Sequence, residues 1–187
     1  MADSRETKTF GEMLEILRGK DPKQAREDAL FSERIHNQSL KYKNTSPSSW
    51  PDIDFQWDIN SASQRYAMDG LTEEEFNSRY PAGFLLGEVD LVQIDRLLSK
   101  DCYRSPEELW EVGSGSKLAK MIVYLSEGHP ISPPLIKVID GDKLFFEGGN
   151  HRFAVAKAVN EERIPIYVQP KYKSKISELV KVNWMTK

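Results

Sequence analysis

Residues 143–159 read KLFFEGGNHRFAVAKAV, and the switch of period inside this stretch decides the fold. Leu144, Phe145 and Phe146 form a short β-rich run, Gly148 and Gly149 break it, and from Asn150 onward the apolar residues fall at helical spacing. Phe153, Ala156 and either Val155 or Val159 are then available for burial on that helix. Immediately upstream, Asp140-Gly141-Asp142 is a tight-turn signal between this run and LIKVI, residues 135–139, which predicts a β-hairpin. Immediately downstream, IPIYV, residues 164–168, predicts a further strand.

Working outward, SKLAKMIVYLS, residues 116–126, places Leu118, Met121, Ile122 and Leu125 on one helical face, closed by Gly128 and Pro130. FLLGEVDLVQIDRLL, residues 84–98, predicts a strand followed by a turn, with Val89, Leu91 and Ile94 pointing one way. Before it, Thr72 caps a short helix opened by Glu73 to Glu75 and ended by Pro81 and Gly83. Thr9 and Gly19 bracket a helix carrying Phe10, Met13, Leu14 and Leu17, and Pro22 opens a second with Ala25, Ala29, Leu30, Ile35 and Leu40. Between them and the 72–80 helix lies a broken stretch holding Trp50, Phe55 and Trp57, which are costly to leave in water. Packing against a core is the expectation; a contact surface for a protein partner is the alternative. The fold class is therefore α/β (α+β), a small mixed sheet with helices over residues 81–187, preceded by a helical extension and aromatic loop over residues 1–80.

Composition narrows the function classes. Lys and Arg number 26 against 29 Asp and Glu, a net charge of −3, which argues against coating nucleic acid by bulk electrostatics. Lys171, Lys173, Lys175, Lys181 and Lys187 still form a local basic run through which DNA is a candidate partner. No segment approaches the ~18 apolar residues that span a bilayer, so no membrane partner and a cytoplasmic location are expected. The single Cys102 excludes an internal disulfide framework and a cysteine metal cluster, and reads as a small buried residue. Asp52, Asp54 and Asp58 lack the glycine and terminal glutamate of a calcium loop and read as a solvated loop, so no resident metal site is assigned.

A strand ending in two glycines that turns directly into a helix is suited to an anion: the glycines permit close approach and positive φ, and the first-turn N–H groups face whatever sits there. Asn150, His151 and Arg152 lie on that turn, and a guanidinium grips phosphate in bidentate fashion. Glu147, just before the glycines, is placed as a general base, a metal ligand or a brake on non-specific anions. On spacing alone, connection chemistry and a surface ion pair explain the same residues equally well.

From Lys117 to Pro170, the helix, Gly128, Pro133-Pro134, the hairpin, GGNHRFAVAKA and IPIYV together resemble the ParB/sulfiredoxin superfamily, small α/β folds. The likeness spans roughly the last 100 residues and leaves the first ~80 unassigned. In sulfiredoxins the matching motif is Gly-Gly-Cys-His-Arg, whose glycines, histidine and arginine hold ATP phosphates. Carried over, this implies phosphate binding by Gly148, Gly149, His151 and Arg152, with Asn150 in place of the reactive cysteine. A carboxamide cannot serve as a thiolate nucleophile, which argues against sulfiredoxin chemistry. The family's upstream helix also contacts nucleotide, and aligning its pattern gives Lys117, Lys120 and Tyr124, of which only Lys117 keeps the family's residue type. Lys117 and Lys120 lie one turn apart, suiting a triphosphate or simply solvating an outer face. The arginine-rich box of the partition proteins is absent, the 19 residues after Val168 cannot hold their helix-turn-helix, and Gly113-Ser114-Gly115-Ser116-Lys117 lacks P-loop spacing and reads as a flexible lead-in.

The resemblance implies an enzyme that binds ATP or another NTP, with Mg²⁺ as a companion, and hydrolyses a phosphate bond with Glu147, His151 and Arg152 as catalytic residues. Its NTPase and nuclease members are often encoded on mobile elements. The alternatives are a small-molecule kinase and a non-catalytic module that uses nucleotide as a switch or binds a protein.

Overall fold

The computed structural model describes residues 9–17, 19–68 and 71–185. Two N-terminal helices come first, α1 (Phe10–Leu17) and α2 (Pro22–Ser39). Thr9 caps α1 reciprocally with Glu12, and Asp21 caps α2 through the amides of Lys23 and Gln24. The expected apolar stripe of α1 is not what it buries. Met13, Leu14 and Leu17 are exposed, whereas Glu12 is buried against Arg26 of α2 at 3.2 Å; the side chain of Phe10 lies outside the described residues.

The chain then runs through a 3₁₀ turn (Ser61–Ala67) and α3 (Glu73–Arg79), which Thr72 and Glu75 close with a full capping box. Next come β1 (Leu85–Asp90) and α4 (Leu91–Leu97). Residues 84–98 thus correct the sequence expectation of a strand followed by a turn. Leu91 and Ile94 are both buried, but at the i, i+3 spacing of a helix face rather than the alternation of a strand. After α5 (Gly115–Ser126), the predicted hairpin forms from β2 (Leu135–Ile139) and β3 (Lys143–Gly148), followed by α6 (Asn150–Ala158) and β4 (Arg163–Val168). Two elements sequence reading did not foresee end the described chain, α7 (Lys173–Leu179) and β5 (Val182–Trp184).

The five strands form one mixed sheet in the order β3-β2-β4-β1-β5. β4 is central, parallel to β2 and antiparallel to β1, while β5 closes the outer edge of β1. Burial of β4 from Ile164 to Val168 shows that both sheet faces are covered. Ile164, Ile166 and Val168 join the main core with Leu118 and Ile122 of α5 and Val155 of α6. Tyr167 points the other way, into a smaller cluster with Ala67, Phe76 and Phe84.

The aromatic loop packs inward. Trp50 and Phe55 belong to the main core, Trp57 stacks on Phe55, and Trp57 pairs with Ile131 in an isolated parallel bridge. The aromatic loop therefore shares the interior of the sheet, and α2 lies on α5 through the Arg34–Glu127 ion pair and the edge contact of Phe31 with Tyr124. Cys102 is buried and accepts from the Phe146 amide. Lys175 pairs with Asp142 and Glu178, and Lys171 and Lys173 lie over Tyr172 and Trp184; Lys187 falls outside the described residues. Among the described residues no helix is long and apolar enough to cross a membrane.

Candidate functional site

The junction between β3 and α6 opens onto a cavity of about 1060 Å³, at the upper end of the range for small-molecule sites. Every residue assigned to the site from sequence lines it: Lys117 and Lys120 from α5, and the run Glu147-Gly148-Gly149-Asn150-His151-Arg152.

The two glycines have steric reasons to be glycine. A Cβ on Gly148 would run into the Ala67 carbonyl. Gly149 has φ +99, and a Cβ there would sit 2.6 Å from Pro134 Cβ and 2.7 Å from its Cα. Gly149 stands at the N-cap of α6, where no side chain caps the first turn. The positive end of the helix is therefore presented at the cavity wall.

Arg152 lines the cavity and is at the same time held by the chain's own carbonyls. The residue is 7% exposed, and its guanidinium donates through Nη1 to the carbonyls of Ser132 and Pro133, at 3.2 and 3.1 Å, and through Nη2 to that of Tyr66 at 2.8 Å. It ties the 3₁₀ segment, the entrance of β2 and α6 together behind the cavity wall. His151 Nε2 lies 3.2 Å from the Ser114 carbonyl, so that nitrogen carries the proton. Ser114 in turn caps α5 by accepting from the Lys117 amide. The segment read as a flexible lead-in is thereby an ordered rim, with Gly113 in the cavity lining.

Glu147 is oriented by two donors, Lys137 Nζ at 3.3 Å and Gln169 Nε2 at 2.6 Å. Asn150 carries a buried Oδ1 with no hydrogen-bond partner among the described residues, and it lines both this cavity and a second hollow of about 640 Å³ beside Phe153 and Lys157. Such an acceptor is one that a donor on a ligand would satisfy.

The other walls come from chain that sequence reading left without a role. Phe31, Ser32 and Ile35 of α2 form one side, Tyr66 and Met68 another, and Tyr124 and Ile131 a third. Asp58, read as part of a solvated loop, turns into the cavity, while Asp52 and Asp54 remain exposed. Burial, and secondarily the charge of Asp58, raise the Tyr124 hydroxyl above its ordinary pKa, so it stays a neutral donor, directed at the Pro130 carbonyl. The same two influences raise Tyr167, opposed by its hydrogen bond with Ser63. The available signal for this wall was Trp57: an aromatic next to Asp58 that had to be buried would draw its neighbour inward.

None of the described lysines of the basic run beginning at Lys171 lines the cavity. No His, Cys, Asp or Glu cluster of three or more is gathered for a metal among the described residues. No protein-family model, curated protein or solved structure matches the chain.

Proposed function

We propose that the cavity binds a nucleoside triphosphate and hydrolyses its terminal phosphoanhydride. The observation that carries this reading is the convergence around one cavity of Lys117, Lys120, the uncapped first turn of α6 and Glu147. The resemblance of residues 117–170 to ParB/sulfiredoxin folds supports it.

In this reading the two ammonium groups and the α6 amides take up the charge of the phosphates. Asn150 accepts a ligand N–H or O–H, and His151 orients the ligand from the Gly113 side. Arg152 is a positioning residue that holds the wall in shape. Glu147, aimed by Lys137 and Gln169, takes a proton from water as the water oxygen bonds to the terminal phosphorus. The bond from that phosphorus to the bridging oxygen breaks, giving nucleoside diphosphate and inorganic phosphate. Mg²⁺ would be carried by the ligand's own phosphates and would neutralise their charge, with Glu147, which already meets Lys137 and Gln169, kept as the base.

A nucleotide-switched module is the second reading, favoured by the two donors that already occupy Glu147. Phosphate release from ATP and GTP in the presence of Mg²⁺ separates the two. The hydrolase predicts release by the wild type and a loss of about 100-fold or more in Glu147→Gln. The module predicts a raised melting temperature with no release. Neither release nor a thermal shift with any nucleotide would remove both.

A further inference from the structure

α5 runs along the cavity like a ruler. Lys117, Lys120, Met121 and Tyr124 all line it, and the seven-residue step from Lys117 to Tyr124 spans about 10 Å of helix axis. The Lys117 end meets Gly113, His151 and the α6 turn. The Tyr124 end is different in kind. Phe31 packs edge-on against Tyr124 with centroids 6.3 Å apart, and Ile35, Met121 and Ile131 add apolar surface.

Asp58 belongs to this second end. Its amide donates to the Ile131 carbonyl at 2.9 Å, next to the Pro130 carbonyl that receives the Tyr124 hydroxyl. Its Oδ1 accepts from the backbone and side-chain nitrogens of Asn60, at 3.2 and 2.9 Å, which fixes the carboxyl and leaves Oδ2 without a hydrogen-bond partner among the described residues. The charge of Asp58 is felt by the Tyr124 hydroxyl, consistent with that closeness.

We infer that this end is a nucleobase subsite selecting guanine, with the ring held among Phe31, Tyr124 and Ile131 and both N–H groups of its pairing edge converging on Asp58 Oδ2. The inference rests on the nucleotide reading above. A carboxylate only accepts hydrogen bonds. Guanine presents two adjacent N–H donors on its pairing edge, whereas adenine and cytosine pair one amino donor with a ring acceptor, and uracil flanks its single N–H with two carbonyls. An acceptor meeting an acceptor inside a cavity is repulsive, and this is the stronger part of the discrimination.

The test is titration of the full chain with GTP, ATP and inorganic tripolyphosphate, followed by thermal shift, for wild type, Asp58→Asn and Phe31→Ala. GTP should bind wild type at least tenfold more tightly than ATP. Asp58→Asn should abolish that ratio while tripolyphosphate binds as before. Phe31→Ala should weaken both nucleotides and spare tripolyphosphate, and its unchanged phosphate binding reports that the fold is intact. Equal binding of GTP and ATP to wild type, or an undiminished GTP preference in Asp58→Asn, would overturn the subsite and leave the nucleotide reading standing. Failure of all three ligands to bind wild type would overturn both.

Discussion

Arg152 shows how sequence can place a residue at a site and leave its contacts unread. The Gly-Gly-Asn-His-Arg run was legible as a cavity wall because a change of period and two glycines are local signals. The use of the guanidinium was not, because one of its acceptors, the Tyr66 carbonyl, lies 86 residues away, and nothing in the motif encodes that distance. A buried cation on three carbonyls is a structural joint. Arg152→Lys keeps the charge but loses the planar fork, so it leaves buried acceptors unmet and is expected to cost about 2 kcal/mol or more in urea unfolding. Stability equal to wild type would show that the carbonyls find other donors.

At the level of elements, the hairpin, α5, α6 and β4 were legible because each is set by its own pattern and punctuated by Gly or Pro. The α4 helix was misread because Val89, Leu91 and Ile94 satisfy a strand and a helix almost equally over so short a run. β5 escaped notice because its three residues, Val182–Trp184, are strand only by virtue of the β1 edge beside them. The seam between α2 and α5 carries its own prediction. Glu127 is bound by Arg34 and, more weakly, by His129, and these contacts hold its carboxyl below the ordinary value of 4.5. A depressed carboxylate contributes stability that is fully present above its unfolded value and disappears as pH falls through the folded one. The seam should therefore loosen below about pH 4.5, read as faster amide exchange in α2, and Glu127→Gln should remove that acid step while loosening the seam at neutral pH. An acid profile unchanged in Glu127→Gln would place the sensitivity elsewhere.

Across the whole molecule, the expected boundary near residue 80 lies between a helical extension with its aromatic loop and an α/β unit, and side chains from both sides of it meet in the core clusters. Trp50 and Phe55 sit in the same cluster as Ile164 and Val155, and Ala67 and Phe84 cover the opposite face. Hydrophobicity in the loop signalled burial but not its address, which depends on contacts far apart in the chain. One cooperative unit follows: tryptophan fluorescence and far-ultraviolet circular dichroism should trace a single urea transition with one midpoint. Two separated midpoints would restore the extension as an independent part. The same arrangement bears on how the protein is made. During synthesis the segment around Trp50 leaves the ribosome more than a hundred residues before β4 exists to receive it, so the nascent chain carries sticky aromatic side chains through the interval in which chaperones act.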